Sequence, residues 1–287
     1  MTTVLQSQSY GKSRVRLSRI TRNGPWHEFI EITAAIALDG DFSPAYIAGD
    51  NRQIVATDTM KNTVHALAHQ HGVPSIEAFG LRLAQHFLDA YPQVAKAAVS
   101  LEERPWTRMI VGGREHPHSF TAATGERYGC DVEATRAAVS MHSGLCDLQV
   151  LKTSGSGFSG FHRDNFTTLQ DTGDRIFATT IEARWPCANL HADWGAVRQT
   201  VRTAMLNVFA ENFSPSVQAT LFQMAAAALA QCSLIDEISI TMPNQHHLLV
   251  NLEPLGMANL NTTFVPTDEP FGLIRAVVRR GETEPRS

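Results

Sequence analysis

Residues 61–72, KNTVHALAHQHG, and 76–91, IEAFGLRLAQHFLDAY, are two helical stretches in immediate succession, and their surroundings decide the fold. Before them run VRLSRI (15–20) and IEITAAIAL (30–38); after them come AAVSLEE (97–103) and MIVGG (109–113), all β-favouring. The second half repeats that order. LQVLKT (148–153) and IFATTIEARW (176–185) precede WGAVRQTVRTAMLNVFAE (194–211) and VQATLFQMAAAALAQC (217–232), and EISITMP (237–243) and HLLVNL (247–252) follow. Setting Ser75 against Ser214 brings Val99-Ser100-Leu101 onto Ile238-Ser239-Ile240, an offset of about 140 residues. Strands bracketing helix pairs predict an α+β fold with antiparallel sheets rather than a doubly wound one. The expectation is two tandem ββααββ domains, 1–138 and 139–287, with the linker near residues 131–145.

The chain has 287 residues, enough for two domains with sizeable cores. A net charge of −4 with no long basic run gives no invitation to nucleic acid or an anionic membrane. The start, MTTVLQSQSYGKSRVRLSRI, has no apolar core of a signal peptide, and no apolar run reaches the ~20 residues of a membrane helix. Cys130, Cys146, Cys187 and Cys232 are widely spaced and read as reduced thiols, so a cytoplasmic location is expected. No G-x-G-x-x-G follows a strand, and the glycine-rich TSGSGFSGF (153–161) lacks a P-loop lysine.

Chemistry-bearing types gather in a few places. In TMPNQHHLLVNL (241–252), strand alternation puts Asn244 and His246 on one face and His247 on the other, which argues against a joint metal site for the adjacent pair. In VATDTMKNT (55–63), Thr57, Asp58 and Thr59 are capping types where a strand gives way to a helix. FSPSVQATLF (213–222) offers Ser214 as a cap and Pro215 at the first helical position. Each start is either a plain cap or, with its free N–H groups and positive dipole end, an anion site. Arg175 and Lys12 are candidate charges for such a site. Phe158 and Phe161, in a glycine-rich stretch, can either stack on a planar ligand or pack a core. His116 and His118 of HPH form a two-ligand pair without an evident third.

Together these segments resemble the urate oxidase family. The resemblance is carried by YGK (10–12), VATDTMKNTVHALA (55–68), RPW with HPHSF (104–120), VLKTSGSGFSGFHRDNFTTLQDTGDRI (150–176), SPSVQATLFQMA (214–225) and MPNQHH (242–247), six segments in the family's order. It implies two tunnelling-fold domains per chain and a homotetramer whose strands form a barrel, with active sites at subunit interfaces. It also implies oxidation of urate by O2 with neither metal nor organic cofactor. Position by position, it places Lys12 and Thr57 with His246 in a proton relay and Phe158 against the purine ring. Arg175 and Gln218 grip the purine, the backbone at Asp58 and Val217 supplies amide contacts, and Asn244 holds O2 or water.

These residue types suit that chemistry. Urate is a planar anion edged with donors and acceptors; arginine supplies a rigid charged fork and glutamine one donor and one acceptor face. Helix-start amides suit developing negative charge. A buried lysine, relayed through a threonine hydroxyl, can act as the base that makes urate electron-rich enough to reduce O2. The rival enzyme is a zinc-dependent purine- or pterin-handling relative, which needs a third ligand beside His116 and His118. A rival of another class is a purine-binding tetramer without activity, against which Lys12, Thr57 and His246 together speak.

Overall fold

The computed structural model describes residues 3–122 and 125–281. The chain divides into two compact units, Met1–Gly144 with Pro186–Gly195, and Leu145–Trp185 with Ala196–Ser287. The first holds β1 (Tyr10–Asn23), β2 (Trp26–Gly40), a short α1 (Ser43–Ala48), α2 (Thr57–His71), α3 (Ile76–Ala90), β3 (Val94–Arg104), β4 (Trp106–Val111), β5 (Arg114–Ala122) and β6 (Arg127–Thr135). β7 (Val139–Lys152) begins in the first unit and ends in the second. The second unit continues with β8 (Phe177–Pro186) as far as Trp185, α4 (Trp194–Glu211) from Ala196 on, α5 (Val217–Gln231), β9 (Glu237–Leu249) and β10 (Phe264–Arg279). In the first unit the order β1-β2-β3-β6 is antiparallel at every pairing. In the second the order is β7-β8-β9-β10, with β8, β9 and β10 antiparallel.

Period-2 burial shows which sheet face meets the helices. Ile32, Ala34, Ile36 and Leu38 of β2 are buried, as are Ala97, Val99 and Leu101 of β3. α2 and α3 cover them with Met60, Val64, Phe79, Leu83 and Phe87. Gly80 lets α3 come close, since a methyl there would sit 3.1 Å from side-chain atoms of both Leu101 and Val132. In the second unit Phe177, Ile181, Ala183 and Trp185 of β8 and Ile238, Ile240 and Met242 of β9 play the same part.

Each unit closes with an arginine that gathers carbonyls around the end of its second long helix. Arg136 donates to the carbonyls of Leu88 (2.9 Å), Tyr91 (3.2 Å), Pro92 (3.2 Å) and Val94 (2.7 Å). Arg280 donates to the carbonyls of Leu229 (2.6 Å), Cys232 (3.2 Å) and Ile235 (3.1 Å), and to the Asp236 carboxylate (3.2 Å). Helix C-termini leave carbonyls without intrahelical partners, and a guanidinium fork is the side chain best shaped to collect several.

Three expectations are corrected. MIVGG is not a strand of the main sheet: β4 and β5 form a separate hairpin, turned at Gly112 and Gly113 (φ +59° and +76°). HLLVNL is not a strand of its own, because β9 runs unbroken from Glu237 to Leu249 and β10 is the closing strand. The region 131–145 is mostly strand, with residues 136–138 alone outside β6 and β7. The Thr135 hydroxyl closes that turn, accepting from the N–H groups of Ala137 and Ala138.

Candidate functional site

In the first unit the geometry is set at the start of β1. Lys12 pairs with Ile36 and Val15 with Ala34, so Ser13 and Arg14 bulge opposite one residue, with Arg14 in the left-handed region at φ +58°. Such bulges re-aim a side chain. Gly11 is required beside it, because a Cβ there would collide with the Ile36 carbonyl oxygen. Tyr10 ties this strand to the entry of α2: its hydroxyl accepts from the Val55 N–H at 2.7 Å and donates to the Val55 carbonyl at 3.2 Å. Burial raises the Tyr10 pKa, opposed by the Val55 hydrogen bond.

The start of α2 differs from expectation. The N-cap is Ala56, without a side-chain cap, and Thr57, Asp58 and Thr59 are the first three helical residues. Their N–H groups are therefore left without a capping acceptor. Thr57 is half-buried. The Asp58 carboxylate turns to Lys61 (2.5 Å) and Asn62 (2.9 Å), and these contacts, led by Lys61, hold its pKa low. The Lys12 charge contributes in the same direction, which places Lys12 within electrostatic reach of the helix start.

In the second unit a loop network assembles the other group. Asp174 accepts from the Ser154 hydroxyl and the Gly155 N–H, both at 2.8 Å, and its pKa is lowered chiefly by Ser154. With Asp174 so occupied, Arg175 has no acidic partner among the described residues. Its backbone N–H donates to the Ser156 carbonyl at 2.7 Å, its guanidinium lies 5.3 Å from the Phe158 ring centre, and its Nε is buried without a hydrogen bond. Burial lowers its pKa. Phe158 itself exchanges backbone hydrogen bonds with Thr172 (2.8 and 2.9 Å) and stacks on Phe161 at 5.0 Å.

The same network reaches α5. The Gly157 N–H donates to the Ser214 carbonyl at 2.8 Å, and the Ser214 N–H to the Gly155 carbonyl at 2.9 Å. Ser214 is not the cap and Pro215 is not helical. Ser216 caps, accepting from the Ala219 N–H at 3.1 Å, while the buried Ser214 hydroxyl accepts from Thr220 at 2.6 Å. An inward-facing serine with a good internal partner cannot also cap. Val217, buried, and Gln218, exposed, are then the first two helical residues, whose N–H groups the cap does not use.

On β9, Asn244 and His246 continue the face of Ile238, Ile240 and Met242, and both are half-buried. His247 alternates away from them, and its Nδ1 is buried without a partner. Opposite, four residues of β10 bulge between Thr267, paired with His246, and Gly272, paired with Asn244. His116 and His118 lie edge to face at 4.5 Å with His27 5.8 Å from His118, yet no group of three His, Cys, Asp or Glu among the described residues is arranged to hold a metal. A cavity of about 690 Å³ in the first unit, lined by His71, Arg82, His86 and His191 among others, contains none of the residues above.

A model of the uricase family matches residues 8–133 and 141–275, nearly the whole chain. The chain belongs to the uricase family. Uricase of Arthrobacter globiformis is 40% identical over 96% of this chain and 90% of its own length, and uricase of Danio rerio 39% identical over 94% and 93%. The crystal structure of the Arthrobacter uricase superposes with a TM-score of 0.91 at 38% identity, covering 100% of this chain and 98% of the other. A urate oxidase structure from Bacillus sp. TB-90, at 22% identity and a TM-score of 0.83, shares the fold. The protein is thus a urate oxidase, an oxidoreductase of purine degradation, built as an α+β fold with antiparallel sheets. Several residues that shape the candidate groups went unassigned in the sequence: Tyr10, Asp174, Ser216 and Thr220. Only the Tyr10-Gly11-Lys12 triplet gave a local hint, through its glycine.

Proposed function

We propose that the protein converts urate, O2 and water into 5-hydroxyisourate and hydrogen peroxide, using neither metal nor organic cofactor. Lys12, relayed through Thr57 and His246, removes a proton from bound urate and so raises its electron density. One electron passes from the urate dianion to O2, and the two radicals combine at C5 into a peroxide that takes back the proton held by the relay to become a hydroperoxide. Water then replaces the hydroperoxide at C5, which leaves with a proton as hydrogen peroxide. Arg175 and Gln218 grip the purine edges, Phe158 stacks on its face, and the N–H groups of Asp58 and Val217 complete the contacts. Asn244 holds O2, then water, above the ring. The working molecule is a homotetramer of tandem tunnelling-fold chains whose strands close a barrel, with active sites at subunit interfaces.

The observation that carries this reading is Arg175: a half-buried guanidinium without an acidic partner among the described residues, set over the Phe158 ring. A buried charge is ordinarily paired, and a planar anion lying on the phenyl face would complete this one. The test is urate disappearance with simultaneous O2 uptake and peroxide formation, with and without exhaustive chelation. Equal consumption of urate and O2, unchanged by chelator, is expected. Activity that is lost with the metal and regained on adding it back would overturn the cofactor-free part.

A further inference from the structure

Asn244 has two cross-strand neighbours that no role above uses. On β8 its direct partner is Thr179, and on β10 it is Gly272. Directly opposed residues of antiparallel strands share a face, with Cβ atoms close enough for short side chains to touch. Thr179 is fully buried in a row otherwise made of Phe177, Ile181, Ala183 and Trp185, and its hydroxyl has no hydrogen-bond partner among the described residues. Valine has the same shape and would sit in that row at no polar cost, whereas a buried unpartnered hydroxyl carries a desolvation penalty. Gly272 has a different oddity. Its φ lies outside the left-handed region, and a Cβ there would make only ordinary contacts of 3.7 Å with the Asn244 Cβ and the Ile274 Cδ1. Neither backbone conformation nor crowding demands glycine. What glycine leaves there is open volume beside the Asn244 side chain.

We infer that Thr179 and Gly272 build the oxygen-side niche around Asn244. Thr179 is a positioning residue: its hydroxyl, unpartnered in this structure, donates to the cross-strand Asn244 amide oxygen when O2 or water is bound, which turns the Asn244 NH2 group toward that molecule. Gly272 keeps the space that the small molecule occupies. This rests on the reading of Asn244 as the residue that holds O2, and it predicts a separation of the two substrates. Arg175, Gln218 and Phe158 are untouched, so urate binding is preserved while oxygen handling suffers.

The experiment measures kcat, KM for urate and KM for O2, with melting temperature, for Thr179→Val, Thr179→Ser, Gly272→Ala and Gly272→Val. Thr179→Val is expected to raise the KM for O2, or lower kcat at air saturation, by about threefold to tenfold, as loss of one orienting hydrogen bond allows. Its KM for urate and its melting temperature stay near the parent's, and Thr179→Ser recovers most of the loss. Gly272→Ala and then Gly272→Val raise the KM for O2 in steps with added volume. A parent that oxidises urate while all four variants keep both the parental KM for O2 and the parental kcat at air saturation overturns the niche and leaves the function standing. A parent that consumes no urate overturns the function and the niche with it. Should Thr179→Val not fold, Gly272→Ala, which the backbone accommodates, decides the matter alone.

Discussion

Arg175 is held by what its neighbour does. The Asp174 carboxylate is engaged by Ser154 and Gly155 and forms no ion pair with the adjacent guanidinium, which under the proposed function meets urate instead. Arg175→Lys keeps the charge but loses the planar fork, and should weaken urate binding by about 1–3 kcal/mol, read as the KM for urate. An unchanged KM would place Arg175 outside the site. Asp174 itself gives a pH signature. Its folded pKa lies below the ordinary carboxylate value of about 3.9, so its contribution to stability is complete above that pH and is lost as pH falls through the folded pKa. Asp174→Asn should therefore lower the melting temperature at neutral pH, with the gap to the parent closing below about pH 4. A gap that persists in acid would assign the effect to lost geometry instead of charge. The adjacent histidines should part company. His246→Ala lowers turnover more than urate binding, at or under the low end of the ~10²–10⁴-fold typical of acid–base groups. His247→Ala changes stability at most. The reverse pattern in steady-state kinetics would overturn the proposed relay.

At the scale of elements, the arginine latches are the features most open to test. Arg136→Met leaves four carbonyls without their guanidinium and should cost about 1.5–3 kcal/mol in denaturant unfolding, as should Arg280→Met. A variant as stable as the parent would make the latch incidental. The helices were legible because apolar residues recur at helical spacing, and Asn244 and His246 fell on one face because strand period is 2. β10 was not legible. Pro266, and Pro270 within the bulge between Thr267 and Gly272, interrupt its pattern and demote the segment as a strand. The cap of α5 was misplaced by two residues because SPS presents two serines, and only the fold shows that Ser214 turns inward to Thr220. The missing cap of α2 followed the same logic: Thr57, Asp58 and Thr59 are all capping types, but the backbone turns helical one residue too early for any of them to cap.

For the whole molecule, the candidate residues fall into two sets. Lys12, Thr57 and Asp58 belong to one compact unit, and Phe158, Arg175, Gln218, Asn244 and His246 to the other. If the proposed tetramer builds each site from two chains, an inactive Lys12→Met protein and an inactive Arg175→Ala protein should regain some activity when reassembled together. Proven mixed tetramers without activity would mean that each site is made within one chain. Family membership was legible from six ordered segments, whereas the networks that aim their side chains were not, since Tyr10 to Val55 and Ser214 to Gly155 are contacts between distant positions. The two latches also bear on how the chain is made. Arg136 and Arg280 come after every segment whose carbonyls they collect, so each seal is synthesised last in its group. Chains leave the ribosome N-terminus first, so the seal on the corner between α3 and β3 cannot form until Arg136 has cleared the exit tunnel. A stalled nascent chain ending just short of that residue should be cut by protease at Tyr91–Gln93, and one that displays it should resist.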